Sequence, residues 1–274
     1  MKCLLNAVLA VAIVSFLAGC NTQPKSTDDL ASKGWKLVWS DEFDYTGLPD
    51  STKWSYDIGG HGWGNQEREY YTGSRLENAR VENGVLIIEA RKEKMDTNQY
   101  TSARLISKGK QEWTYGRFEI RAKLPKGVGT WPAIWMMPAK QSYSDAFWPD
   151  NGEIDIMEHV GFNPGFIHAS THCKKYNWPA GTQRTDTIFM KDVSDAFHNY
   201  ILEWGPDTMQ IFLDDKLYFT STNDRTGWEA WPFDKPFYLI LNIAIGGGWG
   251  GQKGIDDSIW PQRMELEYVR VYEK

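Results

Sequence analysis

The sequence predicts an all-β protein built as a sandwich of two antiparallel sheets, and three observations carry that prediction. Apolar residues recur at every second position in many short runs, as in Arg117-Phe118-Glu119-Ile120-Arg121-Ala122-Lys123-Leu124, where the even positions are apolar and the odd ones mostly charged. That is the pattern of a strand with one buried face. Gly, Pro, Asn and Asp punctuate these runs, and no segment holds a sustained helical stripe. No internal repeat is present, which argues against a propeller and for two sheets packed face to face.

Taken in chain order, residues 1–19 read as an export leader. Lys2 precedes an apolar stretch from Leu4 to Ala18, shorter than the roughly 20 residues a spanning helix needs. Leu17-Ala18-Gly19-Cys20 resembles a bacterial lipobox, with Cys20 as the lipidation site. The plainer alternative is an ordinary signal peptide ending near a cysteine. Residues 20–33 are polar and read as a flexible tether, so residues 34–274 are left as one domain.

In that domain Lys36 to Trp39 is the first expected strand. Ala79 to Glu82 and Val85 to Ala90 flank Asn83-Gly84, a strong hairpin signal, and Thr208 to Leu213 and Lys216 to Thr222 flank Asp214-Asp215. Further expected strands are Ala103 to Ser107, Glu153 to Glu158, Phe166 to His172, Asn199 to Trp204, Phe237 to Ile245 and Met264 to Tyr272. The first and last are complementary and are expected to pair. Cys173 is the one cysteine outside the leader and lipobox, so no internal disulfide is expected and it reads as a small core residue.

Composition narrows the ligand. The formal charge is −6 with no basic cluster, so nucleic acid is not an expected partner. The 14 Trp are the unusual number, and rings with a polar handle suit both cores and binding clefts. A neutral ligand fits best.

The segment that carries chemistry is Asn151-Gly152-Glu153-Ile154-Asp155-Ile156-Met157-Glu158-His159. Glu153 and Asp155 share a face by the period of two. Glu158, five residues from Glu153, would point to the opposite side unless a β-bulge near Ile156-Met157 restores the parity. Four strand steps of about 3.3 Å put the two Glu backbones roughly 13 Å apart. Side chains leaning inward on a curved sheet close that gap to near 5 Å, the separation that suits retaining glycoside hydrolysis. Asp155 between them splits their pKa values by hydrogen bonding and like charge.

Glu153 to Glu158 resembles the active-site signature of glycoside hydrolase family 16, and the similarity runs from Trp39-Ser40-Asp41-Glu42-Phe43 to Tyr268-Val269-Arg270-Val271-Tyr272. The resemblance implies a concanavalin A-like jelly roll with a concave substrate cleft. It also implies Glu153 as nucleophile, Glu158 as general acid/base and Asp155 as their electrostatic assistant. The bulged signature is similar to the laminarinase-like branch. So are Gly62-Trp63-Gly64-Asn65-Gln66-Glu67, Gly129-Thr130-Trp131-Pro132-Ala133-Ile134-Trp135-Met136-Met137 and Gly246-Gly247-Gly248-Trp249-Gly250-Gly251.

By that resemblance Trp131, Trp135 and Trp249 stack on sugar faces, Asn65 and Arg68 bond hydroxyls, and His172 lies near the acid/base. Each has a plainer rival: Trp135 alternates with core candidates, Arg68 suits a surface ion pair, and His172 suits a structural role. No cofactor is required for catalysis. A structural calcium ion is implied at Glu42, the Gly84 carbonyl and Glu267, the last standing where relatives often have Asp.

The expected function is a monomeric, retaining endo-β-glucanase acting on β-1,3-glucan or mixed-linkage β-1,3-1,4-glucan. It would be held by lipid at the bacterial cell envelope, on the outer membrane, the cell surface or the periplasmic face. A galactan hydrolase of the same family and a non-catalytic glycan-binding lipoprotein are the alternatives.

Overall fold

The computed structural model describes residues 27–274. The expected leader, Cys20 and the tether up to residue 26 lie outside the described residues. Thr27–Ser32 form a short helix, α1, where an irregular tether was expected. No helix among the described residues is long and apolar enough to cross a membrane.

From Trp35 onward the chain is a second unit made of strands. In order these are β1 (Lys36–Asp41), β2 (Ser55–Tyr56), β3 (Glu69–Tyr71), β4 (Ala79–Glu82), β5 (Val85–Ala90), β6 (Tyr100–Ser102), β7 (Arg104–Ile106), β8 (Gly116–Lys123) and β9 (Thr130–Pro138). They continue with β10 (Glu153–Glu158), β11 (Phe166–His172), β12 (Arg184–Phe189), β13 (His198–Trp204), β14 (Thr208–Leu213), β15 (Lys216–Thr222), β16 (Phe237–Ile245) and β17 (Gln262–Glu273).

One large sheet runs β15-β14-β13-β8-β17-β5-β4, with β1 added on β17. The expected pairing of the first and last strands is therefore present, with Ser40 opposite Arg270 and Asp41 opposite Val269. The other large sheet runs β12-β11-β10-β9-β16-β7-β2. All pairings in both are antiparallel, and their inner faces enclose one core to which Phe118 and Ile120 contribute from β8, Leu239 and Leu241 from β16, and Ile154, Ile156 and Met157 from β10. Burial of these side chains drives the packing of the two sheets. Trp204 lies in that core, and Trp39 packs edge-on against Trp54 and Trp113. Cys173 is buried and its thiol points at the Ala230 carbonyl.

The turns follow from their residues. Glu82 pairs with Val85 across Asn83 and Gly84, whose φ angles of 54° and 79° are those of a two-residue hairpin loop. Two features differ from the sequence expectation. β3 and β6 form a small parallel pair, too short to show an alternation. β9 lies where the sequence predicts only a cleft-lining segment, and it carries Pro132 and Pro138, residues that do not suit a central strand. Pro132 nevertheless pairs with Ile243, and its carbonyl accepts the His159 N–H where β10 has just ended.

Candidate active site

The acids stand on the outer face of the second sheet, and β10 shows how. Along β11, Glu153 pairs with His172, Asp155 with Ser170 and Glu158 with His168, so β10 uses one residue more than its partner between the last two pairs. Along β9, Asp155 pairs with Trp135 and Met157 with Ile134. Ile156 is the residue left over, and the expected bulge is present. Both Ile156 and Met157 turn into the core, which leaves Glu153, Asp155 and Glu158 together on the opposite, cleft face. Tyr218, reaching from β15 in the other sheet, donates its hydroxyl to the Ile156 carbonyl at 3.3 Å and so satisfies the backbone at the bulge.

Gly152 sets the entry to β10. Its φ is +94°, and a Cβ there would meet Phe233, Phe237 and Pro232 at 3.0 to 3.1 Å. Only glycine makes that turn without strain.

Sheet pairing then aligns the cleft face in rows. Glu158 stands level with His168 and Thr187 on one side and Ala133, Asn242 and Arg104 on the other. Asp155 stands level with Ser170, Trp135 and Ile240. Trp135 is thus on the cleft face and only partly buried. Its indole N–H donates to Asn242 Oδ1 at 2.8 Å, and the Arg104 guanidinium lies 4.7 Å from its ring centroid. Arg104 is equally close to Trp63, so the cation is held between two aromatic faces.

Each glutamate is met by an indole. Trp131 donates to Glu158 Oε1 at 3.0 Å, and the Trp148 side chain hydrogen-bonds Glu153. Trp249 sits 5.6 Å from Trp131 and 4.9 Å from His168, ring centroid to centroid. The glycine-rich loop that carries it lies directly on Trp131, since a Cβ at Gly250 would meet the Trp131 Cβ at 2.8 Å.

His172 requires a correction. It was expected near the acid/base, but its Nε2 lies 3.3 Å from Asp155 and 3.9 Å from Glu153. The histidine level with Glu158 is His168. Burial holds His168 below the usual histidine range, and burial followed by His168 takes His159 down to about 4, so both are neutral at neutral pH.

Electrostatics separate the three acids from ordinary carboxylates. Burial first, then the charge of Asp155, pushes Glu153 up to about 8, while His172 and Trp148 pull against the rise. Burial followed by Asp155 does the same to Glu158, opposed by the Trp131 N–H. Asp155 rises to about 8 through burial, and its Oδ2 has no hydrogen-bond partner. The cluster therefore retains protons at neutral pH.

Asn65 and Arg68 are exposed beside the Trp249 loop. The Asn65 carbonyl accepts the Gly248 N–H, and the Arg68 N–H donates to the Ile245 carbonyl. Asn65 Nδ2 also holds Glu67 Oε1 at 3.1 Å. Glu67 begins a buried chain that the sequence reading did not anticipate: Tyr71 donates to Glu67, and Asn242 links Tyr71 to Trp135. Beside it Glu69 is fully buried and accepts the Ile245 N–H at 2.5 Å. Burial, reinforced by Glu67, raises its carboxyl well above the usual range.

The calcium ligands implied by resemblance do not fit that role. Arg270 grips Glu42 at two points, 2.9 and 2.7 Å, and Arg121 holds Glu267 at 2.5 Å. A hard cation needs several uncommitted oxygens, and here both carboxylates are already neutralised by guanidinium groups. Among the described residues the one trio of side chains spaced for a metal is Glu153, Asp155 and His172, which is the acid cluster itself.

Of the residues missed, His168 was findable, because the parity that aligns Glu153 with Asp155 also aligns His168 with His172 along β11. Trp148 lies in an irregular loop before β10 and carried no periodic signal.

Comparison with known proteins agrees with the geometry. The model of glycosyl hydrolases family 16 matches residues 66–270. A beta-glucanase of Rhodothermus marinus is 57% identical over 265 residues, covering 95% of this chain and 92% of that one. The X-ray structure of the laminarinase from Rhodothermus marinus superposes with a TM-score of 0.86 at 59% identity, over 87% of this chain and 97% of that one. A non-specific endo-β-1,3(4)-glucanase of family 16, co-crystallized as a mutant with 1,3-β-D-cellotriosyl-glucose, gives 0.83 at 47% identity, over 88% and 95%.

Proposed function

The chain belongs to family 16 of the glycosyl hydrolases, and from that premise we propose that it is a retaining endo-β-glucanase. It cuts internal bonds of β-1,3-glucan and of mixed-linkage β-1,3-1,4-glucan by double displacement. The observation that carries the reading is the bulged strand, which sets Glu153, Asp155 and Glu158 on one face with an indole N–H on each glutamate.

In the first step the Glu153 carboxylate attacks the anomeric carbon. The glycosidic C–O bond breaks as Glu158 gives its proton to the leaving oxygen, and a glycosyl ester forms on Glu153. In the second step Glu158, now a carboxylate, takes a proton from water. The hydroxide oxygen bonds to the anomeric carbon and Glu153 leaves as a carboxylate. Trp148 and His172 favour the ionised form of Glu153, and the negative charge of Asp155 beside both glutamates disfavours ionising them together, which helps Glu158 hold the proton it must give. Trp63, Trp131, Trp135 and Trp249 supply apolar platforms for sugar ring faces, with Asn65 and Arg68 at the rim.

The displacement runs on protein groups alone. A calcium ion at Glu42, Gly84 and Glu267 forms no part of the proposal, because both carboxylates are engaged by arginine. The leader composition and Leu17-Ala18-Gly19-Cys20 support export and lipid anchoring through Cys20 to the cell envelope. Labelling with a radioactive fatty acid should mark the wild type and not Cys20→Ser.

The activity is tested by incubating the protein with laminarin, barley mixed-linkage glucan, agarose and xyloglucan and identifying the oligosaccharides. Cleavage of the first two is expected. Wild-type rates in both Glu153→Ala and Glu158→Ala would show the site to be misassigned.

A further inference from the structure

Resting on that reading, we propose that Phe166 and Phe189 form an outlying sugar platform on the acid/base side of the cleft, which takes the leaving-group end of the glucan chain. The two residues are a directly opposed pair at the ends of β11 and β12. Their face is fixed by parity. Ile167 and Ile188 beside them enter the core, so Phe166 and Phe189 project from the cleft face, as His168 and Thr187 do one pair further in.

His168 is level with Glu158. Two residues along the strand and one strand across put Phe166 about 8 Å from the Glu158 backbone, and a second strand puts Phe189 at about 12 Å. Both lie on the side away from Glu153. That is too far for the sugar at the scissile bond and suits the units beyond it.

The pair is held in place. Its ring centroids are 5.1 Å apart and tilted by 53°. The Phe189 ring lies on the backbone of Gly165, where a Cβ would meet its Cε2 at 2.8 Å. Gly165 is fixed in turn by its N–H to His159 Nε2 and its carbonyl to the Met190 N–H. Phe166 is nevertheless 38% exposed and Phe189 57% exposed.

β12 is an edge strand of its sheet, and an edge that ends in two open aromatic rings invites association unless a ligand uses them. Continuity with the cleft selects the occupant. A β-glucan crossing Glu158 presents apolar ring faces to the next aromatic surface on the same side.

The test compares wild type, Phe189→Ala and Phe166→Ala/Phe189→Ala on laminarihexaose and on 4-nitrophenyl β-laminaribioside, whose aglycone ends next to the scissile bond. The ratio of kcat/KM on the long substrate to that on the short one should fall about three- to ten-fold in the double variant, mostly through KM. The single variant should fall part of the way. Thermal unfolding confirms that both fold.

An unchanged ratio, or equal losses on the two substrates, would overturn the platform while leaving the proposed activity standing. A wild type inactive on both substrates would overturn the activity and the platform together. A wild-type dimer that the variants convert to monomer would assign the rings to self-association instead.

Discussion

Replacing Trp131 or Trp148 by Phe removes one indole N–H and leaves an aromatic ring, and the two substitutions should move opposite limbs of the pH profile. Trp131 donates to Glu158 at 3.0 Å, and Trp148 bonds Glu153. A hydrogen bond to an ionised partner contributes about 1.5–3 kcal/mol. At 1.36 kcal/mol per pKa unit that is about one to two units, and competition from water brings the expected shift nearer one.

The sign follows from which form is bonded. Each N–H stabilises the carboxylate, so its loss raises the pKa of the acid it served. Glu158 must carry a proton in the first step, so Trp131→Phe should move the alkaline limb of kcat/KM to higher pH. Glu153 must be ionised to attack, so Trp148→Phe should move the acid limb to higher pH and narrow the active range. The assay is reducing-end release from laminarihexaose between pH 4 and 10 under first-order conditions. If Trp131→Phe moves the acid limb and Trp148→Phe the alkaline one, the roles given to the two glutamates are reversed. If neither limb moves, the indole contacts do not tune the acids.

Gly152→Ala places a side chain at φ +94° against Phe233 and Phe237 immediately before Glu153. It should cost about 1–3 kcal/mol of stability and lower kcat, and denaturant unfolding beside kinetics checks both. Glu69→Gln tests the buried acid beneath the Trp249 loop. Glu69 has a folded pKa well above its unfolded value near 4.5, so the folded state binds the extra proton, and stability from this group is full below pH 4.5 and falls as pH rises through the folded pKa. The melting temperature of Glu69→Gln should therefore decline less with rising pH than that of the wild type, and parallel curves would count against a protonated Glu69. Asn242→Ala cuts the link between Tyr71 and Trp135; KM for laminarin should rise several-fold, and an unaltered KM would show that this chain does not position Trp135.

Much of the sandwich was legible because its strands are amphipathic. β4, β5, β10, β11, β14, β15 and β16 have the bounds the sequence predicts, although β5 and β16 are apolar runs buried along nearly all their length rather than alternating ones. The bulge was legible for a stricter reason: three acids cannot serve one reaction unless an extra residue corrects the parity of Glu158. Where the pattern was weak the reading failed. β9 carries two prolines, β2 has two residues and β12 is mostly exposed, so none shows a clean alternation.

The site divided in the same way. Residues on regular strands, such as Asp155 and Trp135, could be placed by counting. Trp148 and Arg104 reach the cleft through a loop and a short strand, and the buried Glu67-Tyr71-Asn242 chain joins segments about 170 residues apart in sequence. The calcium set failed because a ligand list does not reveal competing partners, and Arg270 and Arg121 are such partners.

The central claim is that Glu153 and Glu158 act on opposite sides of one anomeric carbon, with Glu153 bonding to it. Proton NMR of a laminarin oligosaccharide during the first minutes of cleavage tests this most directly. The β-anomer of the new reducing end should appear first and the α-anomer only later, by mutarotation. An α-anomer formed first would mean a single inverting displacement and would contradict a covalent glycosyl ester on Glu153.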